Sequence, residues 1–166
     1  ATAVRTAAGL LFVLLVLVGK SEGKSGMINL CLSAEAENVK KILCPSDHTW
    51  FVRLRCTQCQ DETPNAIGLS RDMTVDGVRG ASVTLQYKCK GCGRVHDINL
   101  NEEAEGDCWE PDGRREGEAR RVAQLECRGI DPVSCEVRDG FTVVAVDGTV
   151  YEDCDLSDDW MDVDEK

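Results

Sequence analysis

Two CxxC motifs constrain this chain more than any other feature. Cys56 and Cys59 enclose two residues, as do Cys89 and Cys92, and the 29 residues from 60 to 88 separate the two motifs. A two-residue spacing lets both thiols point at one centre from a single tight turn, and two such turns supply the four thiolates of a closed tetrahedral zinc site. The spacing therefore predicts one Zn²⁺ per chain, held by the four cysteines of these motifs.

The residues that flank the motifs alternate between apolar and polar side chains, as strands do. Residues 50–56 and 83–89 each end at the first cysteine of a motif, and residues 94–100 alternate again after the second motif. Gly91 and Gly93 give the second turn the freedom to direct its amide N–H groups toward sulfur. Strand, tight turn and return strand together predict a zinc-ribbon-like lobe.

The remainder of the chain also favours β structure. Alternation recurs at residues 27–34 and 122–127, and Asp147-Gly148 is a strong hairpin signal. A weak internal repeat is visible, because each of these two runs leads through a cysteine to a strand that begins with an aromatic residue, Trp50 or Phe141. We therefore expect an all-β, two-lobed antiparallel protein with a pseudo-twofold repeat, in which one lobe carries the four-cysteine site.

The same patterns divide the chain into four segments. They are a signal-like or non-native extension (1–26), a zinc-binding β lobe (27–100), an acidic connecting loop (101–118) and a second β lobe with an acidic tail (119–166). In the first segment a basic residue precedes an apolar run, as in a signal peptide, whereas Met27 at the start of a credible strand favours a non-native extension. The run is shorter than the roughly 20 residues of a membrane helix, so no membrane contact is expected if the extension is non-native.

The charge of the chain is uneven and bears on its partners. Residues 1–100 hold 12 basic and 9 acidic side chains, whereas residues 101–166 hold 7 and 21, giving −11 overall. Nucleic-acid binding depends on clustered Lys and Arg, and the basic residues here form no stripe, so nucleic acid is not expected. Another protein is the expected partner. The acidic tail around Trp160 and Met161 is either a solvated end or a segment that docks in a basic groove.

Six further cysteines leave the redox compartment open. They are Cys31, Cys44, Cys108, Cys127, Cys135 and Cys154. They could form three disulfides in a secreted protein or remain buried thiols in a reduced one. Cys31 and Cys127 lie inside alternating strand patterns, which favours buried thiols and a cytoplasmic protein. The secretory pathway is the alternative if residues 1–26 are a genuine signal peptide.

Catalysis is the less favoured interpretation of the CxxC motifs. A thiol-redox motif, with Cys56 as nucleophile, would open a helix, and neither motif begins a helical pattern. A catalytic zinc needs an open coordination position, which four cysteines close. His96 follows Cys92 by four residues and could replace a ligand, although its place favours a cap on the return strand. We therefore expect no enzymatic activity, and metal handling, the transfer of zinc or copper through thiolates, is the alternative.

Several separated segments together resemble one known family. In order they are Leu54-Arg55-Cys56-Thr57-Gln58-Cys59, Arg79-Gly80-Ala81-Ser82, Lys88-Cys89-Lys90-Gly91-Cys92, Glu126-Cys127-Arg128-Gly129 and Trp160-Met161-Asp162. Over residues 27–166 the chain resembles the eukaryotic CXXC-motif-containing zinc-binding protein family. The resemblance implies an all-β, two-lobed, monomeric zinc protein with the four motif cysteines as ligands and without an established catalytic activity. Members of that family start where Met27 stands, which supports the interpretation of residues 1–26 as an extension, and they continue past the acidic segment into another strand.

Overall fold

The fold consists of strands joined by turns. The structure, a computed structural model, describes residues 11–20, 26–45, 47–103, 106–109 and 120–157. In these ranges it contains strands and turns without a helix, which confirms the predicted all-β class. Within the same ranges there is consequently no helix with the length and apolar character to span a membrane. The predicted docking segment around Trp160 lies outside the described residues.

Fourteen strands are described, and they are numbered in chain order. They are β1 (Leu11–Lys20), β2 (Met27–Glu37), β3 (Val39–Cys44), β4 (Trp50–Cys56), β5 (Ile67–Leu69), β6 (Val75–Asp76), β7 (Ser82–Val83), β8 (Leu85–Lys88), β9 (Val95–Glu103), β10 (Gly106–Trp109), β11 (Arg120–Arg128), β12 (Ile130–Glu136), β13 (Phe141–Ala145) and β14 (Val150–Cys154).

Each of the three main sheets contains strands from both predicted lobes. The five-stranded sheet has the order β1-β2-β11-β9-β8, the four-stranded sheet β10-β3-β13-β14 and the three-stranded sheet β12-β4-β5. All of these neighbours pair in antiparallel fashion. Because each of these sheets combines strands from before residue 104 with strands from after residue 105, the two predicted lobes are joined by backbone pairing. The pseudo-twofold relation between them stays a prediction.

The structure differs from the predicted segments in two places. The apolar run of the predicted extension forms β1, which pairs with β2 from Leu11↔Glu37 to Lys20↔Ile28. The predicted connecting loop contains the end of β9 and all of β10. Because β10 is an edge strand, paired on one side with β3, it forms without an apolar alternation. The interpretation of residues 1–26 as signal-like or non-native stays a prediction.

The core extends along β4 directly to the first CxxC motif. Trp50, Val52, Leu54 and Cys56 are buried, whereas the residues between them are half-buried. This is the period-two pattern of a strand with one face in the core. Leu54 packs in a single apolar cluster with Ile98, Leu125 and other core residues from all three main sheets. The alternation therefore places the buried Cys56 side chain at the end of β4, on the face of the strand that points into the core.

Candidate metal centre

The structure brings the four motif cysteines together. Their Sγ atoms all lie within 4.8 Å of one another. The Sγ atoms of Cys56 and Cys92 are 3.7 Å apart, and those of Cys59 and Cys89 are 3.5 Å apart. A tetrahedral zinc with Zn–S bonds of about 2.3 Å requires S···S separations of about 3.8 Å. The donor set and its spacing therefore fit Zn²⁺, the metal predicted from the motifs.

Each CxxC motif adopts the same hydrogen-bonded turn. In the first, the Cys56 N–H donates to the Asp61 carbonyl and the Gln60 N–H donates to the Cys56 carbonyl, both at 2.9 Å. In the second, the Cys89 N–H donates to the Arg94 carbonyl at 2.8 Å and the Gly93 N–H to the Cys89 carbonyl at 2.9 Å. The fourth residue after the first cysteine has a left-handed backbone in both turns.

That left-handed residue distinguishes the two turns. In the second turn it is Gly93, with a φ of 74°, as its sequence suggests. In the first turn it is Gln60, with a φ of 66°, which is an uncommon conformation for a residue with a side chain. The first turn thus reaches the geometry of the second without glycine.

The two turns pack closely at Gly91. A Cβ atom on Gly91 would lie 3.0 Å from Asp61 Cβ and 3.1 Å from Cys59 Sγ. Both distances are shorter than ordinary carbon contacts, so a side chain here would push the turns apart. Glycine at this position lets the first turn approach the second until the four sulfur atoms meet.

The four thiols differ in exposure. Cys56 and Cys89, the first cysteine of each motif, are 1% and 2% exposed. Cys59 and Cys92, the second cysteine of each motif, are exposed. The candidate centre therefore has an inner side anchored in the core and an outer side that faces solvent.

Electrostatics within the cluster favour a bound cation. The backbone N–H of Cys59, followed by that of Gln58 and by hydrogen bonds from His96 and Cys92, lowers the pKa of Cys56 to about 6 against the opposing effect of burial. At Cys59 the backbone N–H of Asp61 acts to lower the pKa, but the Cys89 thiol, burial and the other thiols outweigh it and raise the pKa to about 12. The thiols cannot all ionise together unless a cation offsets their charge.

His96 contacts the centre in a way that the sequence did not indicate. Its Nε2 atom lies 3.3 Å from the Cys56 Sγ atom, and the side chain is buried. His96 is the second residue of β9, the return strand, and it is not one of the four mutually close ligands. A signal was present, because in the alternation of residues 94–100 His96 shares a face with the apolar Ile98 and Leu100.

Gly129 also contacts the first CxxC turn. Its carbonyl accepts hydrogen bonds from the Thr57 N–H at 3.1 Å and from Thr57 Oγ1 at 3.0 Å. Gly129 has a φ of 73° and lies between β11 and β12. In the sequence, Gly129 is notable only as the last residue of the segment 126–129, one of those that carry the family resemblance. Its role depends on a contact across 72 residues of chain, which no local pattern reveals.

The other described cysteines lie outside the centre. Cys31, Cys127 and Cys135 are free thiols, the Cys154 thiol donates a hydrogen bond to the Tyr151 carbonyl at 3.3 Å, and Cys44 is disulfide-bonded. Burial raises the pKa of Cys127 and of Cys135 to about 12, which disfavours the reactive thiolate at both. The expectation of buried thiols at Cys31 and Cys127 is confirmed for Cys127, whereas Cys31 is half-buried. Of the two alternatives for the spare cysteines, Cys44 follows the disulfide-bonded one.

Comparison with known proteins places the chain in a family. The family described as "CXXC motif containing zinc binding protein, eukaryotic" matches residues 29–166. The protein named CXXC motif containing zinc binding protein from Bos taurus is 32% identical over 146 residues, covering 85% of this chain and 89% of the relative. Its namesake from Homo sapiens is 31% identical over 147 residues, with the same two coverages. UPF0587 protein CG4646 from Drosophila melanogaster is 30% identical over 144 residues, covering 84% and 86%.

Two solved structures share the fold. The crystal structure of C1orf123 matches with a TM-score of 0.62 at 20% identity, covering 90% of this chain and 82% of that one. A hypothetical protein from Plasmodium falciparum matches with a TM-score of 0.63 at 21% identity, covering 96% and 90%. Together with the family match and the four converging cysteines, these similarities confirm the resemblance seen in the sequence: the chain belongs to the eukaryotic family of CXXC motif containing zinc binding proteins.

Proposed function

We propose that the chain is a non-catalytic interaction protein whose fold is held by one structural Zn²⁺. The observation that carries the proposal is the convergence of the four Sγ atoms within 4.8 Å. Four thiolates complete a tetrahedral shell, so the ion has no open position for a substrate or an activated water. Structural zinc sites are closed in this way, whereas catalytic sites keep one position free.

The position of the centre in the fold supports a structural role. Cys56 ends β4 in the three-stranded sheet, and Cys89 follows β8 at the edge of the five-stranded sheet. An ion bound by both cysteines would cross-link the three-stranded and five-stranded sheets at β4 and β8, which are not consecutive in the chain. Zinc binding of this kind contributes directly to folding free energy, with apparent values of about 10–16 kcal/mol in zinc-finger peptides.

The interaction role is supported by the charge of the chain and by the closed ligand set of the centre. The net charge of −11 disfavours nucleic acid, so we propose that the partner is another protein. His96, whose Nε2 atom lies 3.3 Å from Cys56 Sγ, is buried and engaged by that thiol. It is therefore not placed to activate a substrate.

Metal handling is a second candidate, favoured by the exposure of Cys59 and Cys92. An incoming thiolate could attack the ion from this outer side, since thiolates are soft ligands that bind zinc and Cu(I). The two functions differ in what the fold does when the ion leaves. When a structural ion dissociates, the protein unfolds, whereas a protein that transfers its ion stays folded afterwards.

Removal of zinc by a chelator tests the proposal. We expect loss of zinc and loss of tertiary structure to proceed at the same slow rate, because the inner ligands Cys56 and Cys89 are anchored in the core. Zinc release is followed with a chromogenic chelator and structure by the intrinsic tryptophan fluorescence, to which the buried Trp50 contributes. Rapid release with unchanged fluorescence and hydrogen-exchange protection would contradict the structural role and favour metal handling.

Zinc binding should also release protons and weaken as the pH falls. Bound thiolates carry no proton, so acidification favours the protonated, metal-free state. If loss of zinc unfolds the chain, as a structural role requires, the metal-free thiols have ordinary pKa values of about 8.5, and we expect close to four protons to be released at neutral pH. A metal-free protein that stayed folded would release fewer, because there the pKa of Cys56 is lowered to about 6. Calorimetric titration in buffers of different ionisation enthalpy measures the number. An affinity that does not change between pH 8 and pH 6 would contradict thiolate ligation.

A further inference from the structure

We propose that His96 is a positioning residue of the zinc centre, which donates a hydrogen bond to Cys56 and is itself held by Gly129. This inference rests on the proposed zinc site. The His96 Nε2 atom is 3.3 Å from Cys56 Sγ. A zinc-bound thiolate has no proton to donate, so the imidazole must be the donor. The contact therefore assigns the proton to Nε2 in the metal-bound protein.

The donor is needed because Cys56 is shielded from water. Zn²⁺ with four thiolates carries a formal charge of −2, and exposed sulfur atoms can share that charge with solvent. Cys59 and Cys92 are exposed, whereas Cys56 is 1% exposed. A buried charge is costly unless protein donors solvate it. The N–H of His96 contributes to that solvation at Cys56, beside the backbone N–H groups of Cys59 and Gln58.

Gly129 fixes the orientation of the imidazole from the opposite side. A Cβ atom on Gly129 would lie 2.7 Å from His96 Nδ1 and 3.1 Å from its Cε1, so the ring rests directly on the glycine backbone. The Gly129 carbonyl also binds Thr57, inside the first CxxC turn. One residue between β11 and β12 thus positions both the His96 ring and the loop that carries Cys56 and Cys59. Gly129, far from both CxxC motifs in the chain, in this way supports the zinc centre.

Two substitutions at His96 separate hydrogen bonding from packing. His96→Gln keeps an N–H donor close to the position of Nε2, whereas His96→Leu keeps an apolar side chain of moderate size without a donor. Each variant of the full chain is loaded with Zn²⁺ for chelator competition and with Co²⁺ for absorption spectroscopy. We expect His96→Leu to weaken zinc binding by about 10–100-fold, the usual effect of losing an outer-shell partner. We expect His96→Gln to retain most of the affinity.

The Co²⁺ spectrum supplies a readout that packing alone would not change. A hydrogen bond to sulfur lowers the energy of its lone pair, so the thiolate-to-metal charge-transfer band should move to longer wavelength in His96→Leu and stay near its original position in His96→Gln. Equal affinities and unchanged bands in both variants would overturn the proposal. It would also be overturned by a wild-type spectrum of three sulfurs and one nitrogen, because His96 would then be a ligand. Failure of the unaltered protein to bind Zn²⁺ or Co²⁺ would instead refute the proposed zinc site itself.

Discussion

Replacing Cys89 with serine should abolish stable zinc binding and unfold the region where the three-stranded and five-stranded sheets meet. Cys89 is 2% exposed and its Sγ atom lies 3.5 Å from that of Cys59. A serine hydroxyl does not ionise at neutral pH, so the centre would lose one of its four charges and its anchor at the end of β8. Loss of a structural metal belongs to the small group of changes that cost more than about 4 kcal/mol. Elemental analysis and urea denaturation measure the two effects.

Cys31→Ser is the matched control for this prediction. Cys31 is a half-buried free thiol on β2 and is not among the four converging cysteines. The control variant should keep one zinc per chain and lose little stability. If Cys89→Ser retained one tightly bound zinc and the stability of the unaltered protein, the four-cysteine centre would be contradicted.

Gly129→Ala should disturb the zinc centre from the far side of His96. The new Cβ would lie 2.7 Å from His96 Nδ1, a distance that forces the ring or the turn to move. Alanine would also pay the cost of a left-handed conformation, roughly 1–2 kcal/mol, because φ is +73°. We expect a loss of stability larger than this conformational cost and a zinc affinity at least about tenfold lower, comparable to the loss of an outer-shell contact.

The control variant Gly80→Ala separates the effect of a steric collision with His96 from the effect of a strained backbone conformation. Gly80 has a φ of +79°, and a Cβ there would meet nothing within 4 Å. This variant should therefore show only the conformational cost in urea denaturation and an unchanged zinc affinity in chelator competition. If Gly129→Ala matched Gly80→Ala in both measurements, the contact between Gly129 and His96 would have no role at the centre.

The ligand set and its supporting strands could be read from the sequence because both are local patterns. The two-residue spacing within each CxxC motif indicates which thiols can bind the same ion. The alternation of apolar and polar residues shows that the strand before Cys56 presents one face to the core. The structure confirms that strand as β4 and the return strand after the second motif as β9. The strand predicted over residues 83–89 is confirmed only in part, because β8 covers Leu85–Lys88 whereas Val83 belongs to β7, which pairs with β6. The convergence of the two motifs also follows, because a closed site needs both.

The contacts that complete the centre depend on distances through space. His96 reaches Cys56 from 40 residues away, and Gly129 reaches Thr57 from 72 residues away. Period-two patterns place a side chain on a face of a strand but do not specify which strand lies opposite. The order of strands in the sheets is non-local for the same reason, and β1 was obscured because an apolar run has no strand-specific period.

X-ray absorption spectroscopy at the zinc edge, combined with elemental analysis, tests the closed four-cysteine centre most directly. A zinc–thiolate centre of this kind predicts one zinc per chain and four sulfur neighbours at about 2.3 Å. A preparation without zinc, or a first shell that contains nitrogen or oxygen at about 2.0–2.2 Å, would contradict it.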